Sequence, residues 1–148
     1  MKKYTKIILS LAIIYSLGLA CSQPEPECIT PSELGIKAIN PNGESELALL
    51  MRAMFEETKQ IKQQINQGET IKTQLCQEQM LTAEATEPEK AASDLYKAYA
   101  STYLQTVEHL KSADPEHQLE LYNNLVDNCM TCHKAMCPGP VAKIKKLL

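Results

Sequence analysis

Near the C-terminal end of the chain, Cys129-Met130-Thr131-Cys132-His133 places two thiols and an imidazole at spacings of three and four residues. On an α-helix, positions i, i+3 and i+4 share one face, so these side chains address a single ligand together if the segment is helical. C-x-x-C-H is the attachment pattern of c-type haem: the thiols add across the two vinyl groups of the porphyrin and the adjacent imidazole binds the iron. One haem c is therefore expected, bound covalently through Cys129 and Cys132, with His133 as proximal iron ligand. A thioredoxin-like dithiol would need a βαβ context, and nothing around these residues alternates with period two. It would also leave His133 without a role. A structural zinc ion needs four ligands, and beyond His133 and Cys137 no second C-x-x-C or H-x-x-x-H pair completes the set.

The start of the chain points to export. Lys2, Lys3 and Lys6 precede an apolar stretch, Ile7 to Leu19, too short to span a bilayer comfortably, and residues 1–20 read as a bacterial secretory signal. The stretch closes on Gly18-Leu19-Ala20-Cys21, which resembles the lipobox of bacterial lipoproteins, with Gly18 where leucine is usual. The resemblance implies acylation of Cys21 and a lipid anchor in a membrane of the cell envelope, facing the periplasm or the cell surface. Ordinary cleavage, leaving Cys21 as a free thiol, is the alternative.

Loss of residues 1–20 removes three lysines and no acids, taking the formal charge from −3 to −6. No basic stripe remains to track phosphates, which excludes nucleic acid as a partner and favours a redox partner protein with a basic docking face. The remaining chain suits one small domain, but it has no tryptophan and a single phenylalanine, Phe55, with which to build a core. A buried porphyrin would supply much of the missing apolar area.

Residues 21–43 hold Pro24, Pro26, Pro31 and Pro41 and read as a tether followed by an irregular segment; residues 44–148 form the haem domain. From about Glu44 to Gln67, Leu47, Met51, Met54, Thr58, Ile61 and Ile65 recur at spacings of four and three, a helical seam that Gly68 caps. A weaker helix is expected over about Thr70 to Leu81, with Ile71, Leu75 and Met80 inward. Thr86 and Glu89 form a capping box around Pro88 and open a third helix, whose inward stripe is Ala92, Leu95, Tyr96, Tyr99, Tyr103, Thr106 and Leu110. Asp114 and Pro115 open a fourth, whose apolar face of Tyr122, Leu125 and Val126 runs on to Cys129 and His133 before Pro138-Gly139-Pro140 stops it. Short connections make neighbours antiparallel, so the expected fold is all-α, an up-down-up-down four-helix bundle with haem near the C-terminus of the last helix.

A C-x-x-C-H motif in that place resembles the class II cytochromes c, the cytochrome c′ family, over about residues 44–137. Low-spin members carry a sixth iron ligand in the first helix, within a Met-basic-x-Met run followed by an Ile-Lys pair. Met51-Arg52-Ala53-Met54 with Ile61-Lys62 is similar to it, and implies that Met51 is the distal ligand, with Met54 as rival. The bundle agrees, because the start of an antiparallel first helix lies beside the end of the fourth. Both methionines could instead be core filler, leaving a five-coordinate iron open to small gases such as nitric oxide or carbon monoxide. Two departures stand out. Leu47 occupies the place of an arginine commonly near a haem propionate, and Met136-Cys137 replaces an aromatic-basic pair. Arg52, Lys143, Lys145 or Lys146 would then face the propionates.

With Cys21, Cys129 and Cys132 assigned, Cys28, Cys76 and Cys137 remain, and export permits a disulfide. Cys28 to Cys137 is the favoured pairing, with Cys76 open to either partner. His109 and His117 have no companion at metal-binding spacing. The function expected is electron carriage by a mono-haem cytochrome rather than catalysis, since no distal His-Arg pair marks a peroxidase. Family members often dimerise through their first two helices; the sequence leaves the oligomeric state open.

Overall fold

The computed structural model describes residues 28–41 and 43–148. The expected export signal, Cys21 and most of the tether lie outside the described residues. Those described are helical without a β-strand: α1 (Glu46–Gln67), a 3₁₀ segment (Gln77–Leu81), α2 (Pro88–Ala92), α3 (Asp94–Ser112), α4 (Pro115–Met136), α5 (Val141–Ile144) and a final 3₁₀ turn (Lys145–Leu147).

α1 starts where Ser45 accepts the Ala48 N–H on its hydroxyl at 3.3 Å, satisfying one of the donors that a helix start leaves unpaired. It stops at Gly68, whose φ of 68° is left-handed. The Gly68 N–H reaches the Ile65 carbonyl at 3.1 Å and the Glu69 N–H reaches Gln64 at 2.9 Å, the paired bonds of a Schellman cap. Within α1 the buried face is Leu50, Ala53, Met54, Glu57, Thr58 and Ile61. The expected seam is thus turned: Met54, Thr58 and Ile61 are buried, while Leu47, Met51 and Ile65 lie beside the core, partly covered.

No α-helix forms over residues 70–81, a correction to the expected second helix. The segment runs irregularly before the 3₁₀ segment, and Leu75 makes a parallel bridge to Ile29. Tertiary acceptors replace the helical ones: Glu57 Oε1 accepts the N–H groups of Gln74, at 2.5 Å, and Leu75, at 3.0 Å, while Oε2 accepts from the Gln77 amide. Three donors compensate a carboxyl group only 4 % exposed.

The third helix is divided. α2 begins after Glu87, which makes no side-chain cap, and Thr86 donates instead to the Ser45 hydroxyl at 3.0 Å. The capping box is therefore not formed. Ser93 caps α3 in its place, accepting the Tyr96 N–H at 3.2 Å. The inward stripe of α3 is Tyr96, Ala100, Tyr103, Val107 and Leu110, with Ala92 and Leu95 left exposed. α4 runs as its sequence indicates: Asp114 precedes Pro115, Tyr122, Leu125 and Val126 are fully buried, and the helix ends before the Pro-Gly-Pro turn. The two-residue connection Ala113-Asp114 makes α3 and α4 an antiparallel hairpin.

The chain then returns to the core. Ile144 and Leu147 are buried, the Tyr122 hydroxyl donates to the Leu147 carbonyl at 2.8 Å, and Lys62 Nζ donates to Leu147 and Leu148 oxygens at 2.8 and 2.6 Å.

Cys28 is bonded to Cys76, with Cα atoms 4.9 Å apart; this corrects the Cys28–Cys137 pairing. The reason lies in the Ile29–Leu75 bridge, which sets the segment beginning at Cys28 against residues 74–76. Cys137 stays at the end of α4 as an exposed free thiol.

Candidate haem site

A cavity of about 600 Å³ opens between the start of α1, the segment through α2, the end of α4 and α5. Its volume is in the range of sites that hold cofactor-sized ligands. α1 contributes Leu47, Met51 and Phe55, and α4 contributes Cys132, His133 and Met136. The expected neighbourhood of the first helix's start and the last helix's end is present. Tyr96 closes a further side; its hydroxyl donates to the Met80 carbonyl at 2.7 Å, and burial pushes its pKa up to about 12.

The cavity separates the two candidate methionines. Met51 lines it, whereas Met54, 5 % exposed, belongs to the hydrophobic core. Of the two cysteines expected to attach haem, Cys132 lines the cavity and Cys129 lies one helical turn back, partly buried against the core. Burial raises the Cys129 thiol to about 12, with Cys132 adding to the effect, and raises Cys132 to about 11, with Cys137 adding. Both are neutral thiols at pH 7, unlike the depressed thiols of redox-active dithiols.

His133 is held at its Nδ1, which lies 3.2 Å from the Cys137 carbonyl oxygen and 3.3 Å from its Sγ. A carbonyl can only accept, so the tautomer that satisfies this contact carries its proton on Nδ1 and leaves the Nε2 lone pair for a metal. Burial lowers the His133 pKa, keeping the ring in the neutral form that ligates. Cys137 thus serves the histidine's orientation through its backbone.

Three cations, Arg52, Lys90 and Lys143, also line the cavity. Apolar walls with Cys132, Cys137 and an imidazole from α4 and cations around them suit, by their chemistry, a group that combines an apolar ring, an iron and carboxylates. Among the described residues, no further ligands join His133 and Cys137 in a zinc site. Among the described residues, the one group of metal-ligating atoms that converge is Asp114, Glu116 and His117, all exposed at the opposite end of α4. His109 is exposed too.

Lys90, Phe55 and Ala91 escaped the sequence reading as residues of the site. Lys90 follows Pro88, and its position on α2 was legible; that this helix lies along a cavity was not, because no periodicity of its own five residues reports what it faces. No family model, curated protein or solved structure matches this chain.

Proposed function

We propose that this chain is a mono-haem c-type cytochrome carrying electrons in the bacterial cell envelope, of the class II type that its C-x-x-C-H motif and first-helix methionines resemble. The observation that carries the reading is the convergence of Met51 with the Cys132-His133 pair, distant from it in sequence, on one apolar cavity of cofactor size. Cys129 and Cys132 would hold haem covalently, His133 would bind its iron through Nε2, and Met51 would supply the second protein ligand. Haem, when bound, supplies a one-electron couple. The residues around it do the rest: the Cys137 carbonyl orients His133, and Leu47, Phe55 and Tyr96 exclude water. With His133 and Met51 both holding the group, little would rearrange on a change of oxidation state, which suits outer-sphere transfer.

Carriage is favoured over peroxidase chemistry by the state of the nearest arginine. Arg52 is held by Glu44 and by the Lys37 carbonyl, and no second histidine lines the cavity to act with it. The family's four-helix bundle would be represented here by α1, α3 and α4, with the 3₁₀ segment Gln77–Leu81 and α2 in the place of the remaining helix. Among the described residues no helix is long and apolar enough to cross a membrane, and attachment to the envelope is assigned to lipid on Cys21. The charge of −6 left after removal of residues 1–20 suits a redox partner with a basic docking face.

Denaturing electrophoresis followed by haem-dependent peroxidase staining tests the attachment. Colour stays with the polypeptide if the thioether bonds exist, and its loss under denaturing conditions removes the reading. His133→Ala should attach haem poorly and lose the normal spectrum. A high-spin native spectrum would instead move the site to the gas-binding, five-coordinate type.

A further inference from the structure

Two of the three cavity-lining cations are already engaged. Arg52 pairs with Glu44 and donates to the Lys37 carbonyl at 3.3 Å. Lys90 pairs with Glu87 at 2.8 Å and donates to the Met136 carbonyl at 3.3 Å. Lys143 differs: among the described residues it has no carboxylate partner, and its Nζ lies 4.4 Å from the centroid of the Phe55 ring, itself part of the cavity. It is not a charge on a loose end. Ile144 and Leu147, on either side of Lys145 and Lys146, are buried, and Tyr122 and Lys62 hold the Leu147 carbonyl.

We infer that Lys143 is a positioning residue for the cofactor, its ammonium facing a haem carboxylate and thereby raising the reduction potential. The inference rests on the haem reading above. Haem carries two propionates on the edge of the macrocycle away from its vinyl groups. With the vinyl edge tied to Cys129 and Cys132, a counter-charge for the carboxylate edge has to come from another element, and α5 brings one that is not yet neutralised. An ionised carboxylate beside apolar walls is costly unless paired. The sign follows from Coulomb's law: ferric iron carries one more positive charge than ferrous, so a nearby cation disfavours it.

A redox titration of the full-length holoprotein tests this. Lys143→Gln should shift the ferric/ferrous equilibrium about threefold toward ferric, the size expected of one partly screened charge, and Lys143→Arg should restore it. Lys145→Gln and Lys146→Gln remove the same charge from neighbouring exposed positions that do not line the cavity, and should shift it by less than half as much. An unchanged potential in Lys143→Gln, equal shifts in all three glutamine variants, or a shift accompanied by high-spin bands showing lost axial ligation would each overturn the inference. A haem-loaded protein with an unmoved potential sinks this inference alone; a polypeptide that holds no haem sinks the reading beneath it as well.

Discussion

Met51 and Met54 show how much rests on a single helical turn. They are three residues apart, which on an α-helix leaves their directions only about 60° apart, and either fits a methionine-ligation pattern. Packing separates them, since Met51 borders the cavity and Met54 is enclosed by the core. The expected outcome of Met51→Ala is a low-spin protein turned high-spin, with a lower potential and an iron open to carbon monoxide, because a thioether ligand favours the ferrous state. Met54→Ala should cost about 2–4 kcal/mol of stability, as truncations of buried methionine do, and leave the spectrum low-spin. Absorption spectra of both oxidation states, with thermal melts, decide it. A sulfur-ligated spectrum that survives in Met51→Ala and is lost in Met54→Ala would reverse the assignment.

Among the elements, the segment between α1 and α2 departs furthest from its own sequence pattern. Ile71 and Leu75 sit at a helical spacing, yet Glu57 takes the N–H groups of Gln74 and Leu75 and the disulfide fixes Cys76 to Cys28. A buried carboxyl accepting three donors acts here as a substitute for helical carbonyls. Replacing Glu57 by Ala strands those donors in an environment closed to water, and should destabilise the fold by about 2–4 kcal/mol in denaturant unfolding. Glu57→Gln, which keeps an acceptor oxygen, should cost about 1 kcal/mol. Equal stability of the Ala variant and the parent protein would show that the segment holds its shape without this group.

At the scale of the whole molecule, the cavity exists because four separate stretches of chain meet: the start of α1, the segment through α2, the end of α4 and the returning C-terminal segment. The last of these is held by Lys62 and Tyr122, which both donate to the Leu147 carbonyl. The Cys28–Cys76 bond joins residues 48 apart, so that the segment beginning at Cys28 is anchored to residues 74–76 of the domain. A lipid on Cys21 would then hold the domain close to a membrane. One acyl chain binds only marginally, whereas the several chains of a bacterial lipoprotein bind firmly. Cys21→Ser should therefore move the protein from the membrane fraction to the soluble one. Undiminished partitioning of that variant with membranes would count against the anchor.

What the amino-acid order determined by itself is whatever depends on local geometry. The C-x-x-C-H spacing, the start of α4 at Asp114-Pro115, its end before Pro138 and the Gly68 cap all involve residues within one or two turns of each other, where backbone stereochemistry leaves few choices. Long apolar repeats likewise made the helical class legible. Tertiary structure alone decided which face of α1 meets the core and which the cavity, since a stripe of Leu47, Leu50, Met51 and Met54 is wide enough to serve both. It also decided that residues 70–76 give up a helix for Glu57, that Cys28 chooses Cys76, and that Lys143 rather than Lys145 or Lys146 reaches the cavity. Each of these turns on contacts between groups distant in sequence, whose energies rival a helix's own propensity but leave no periodic mark on the chain.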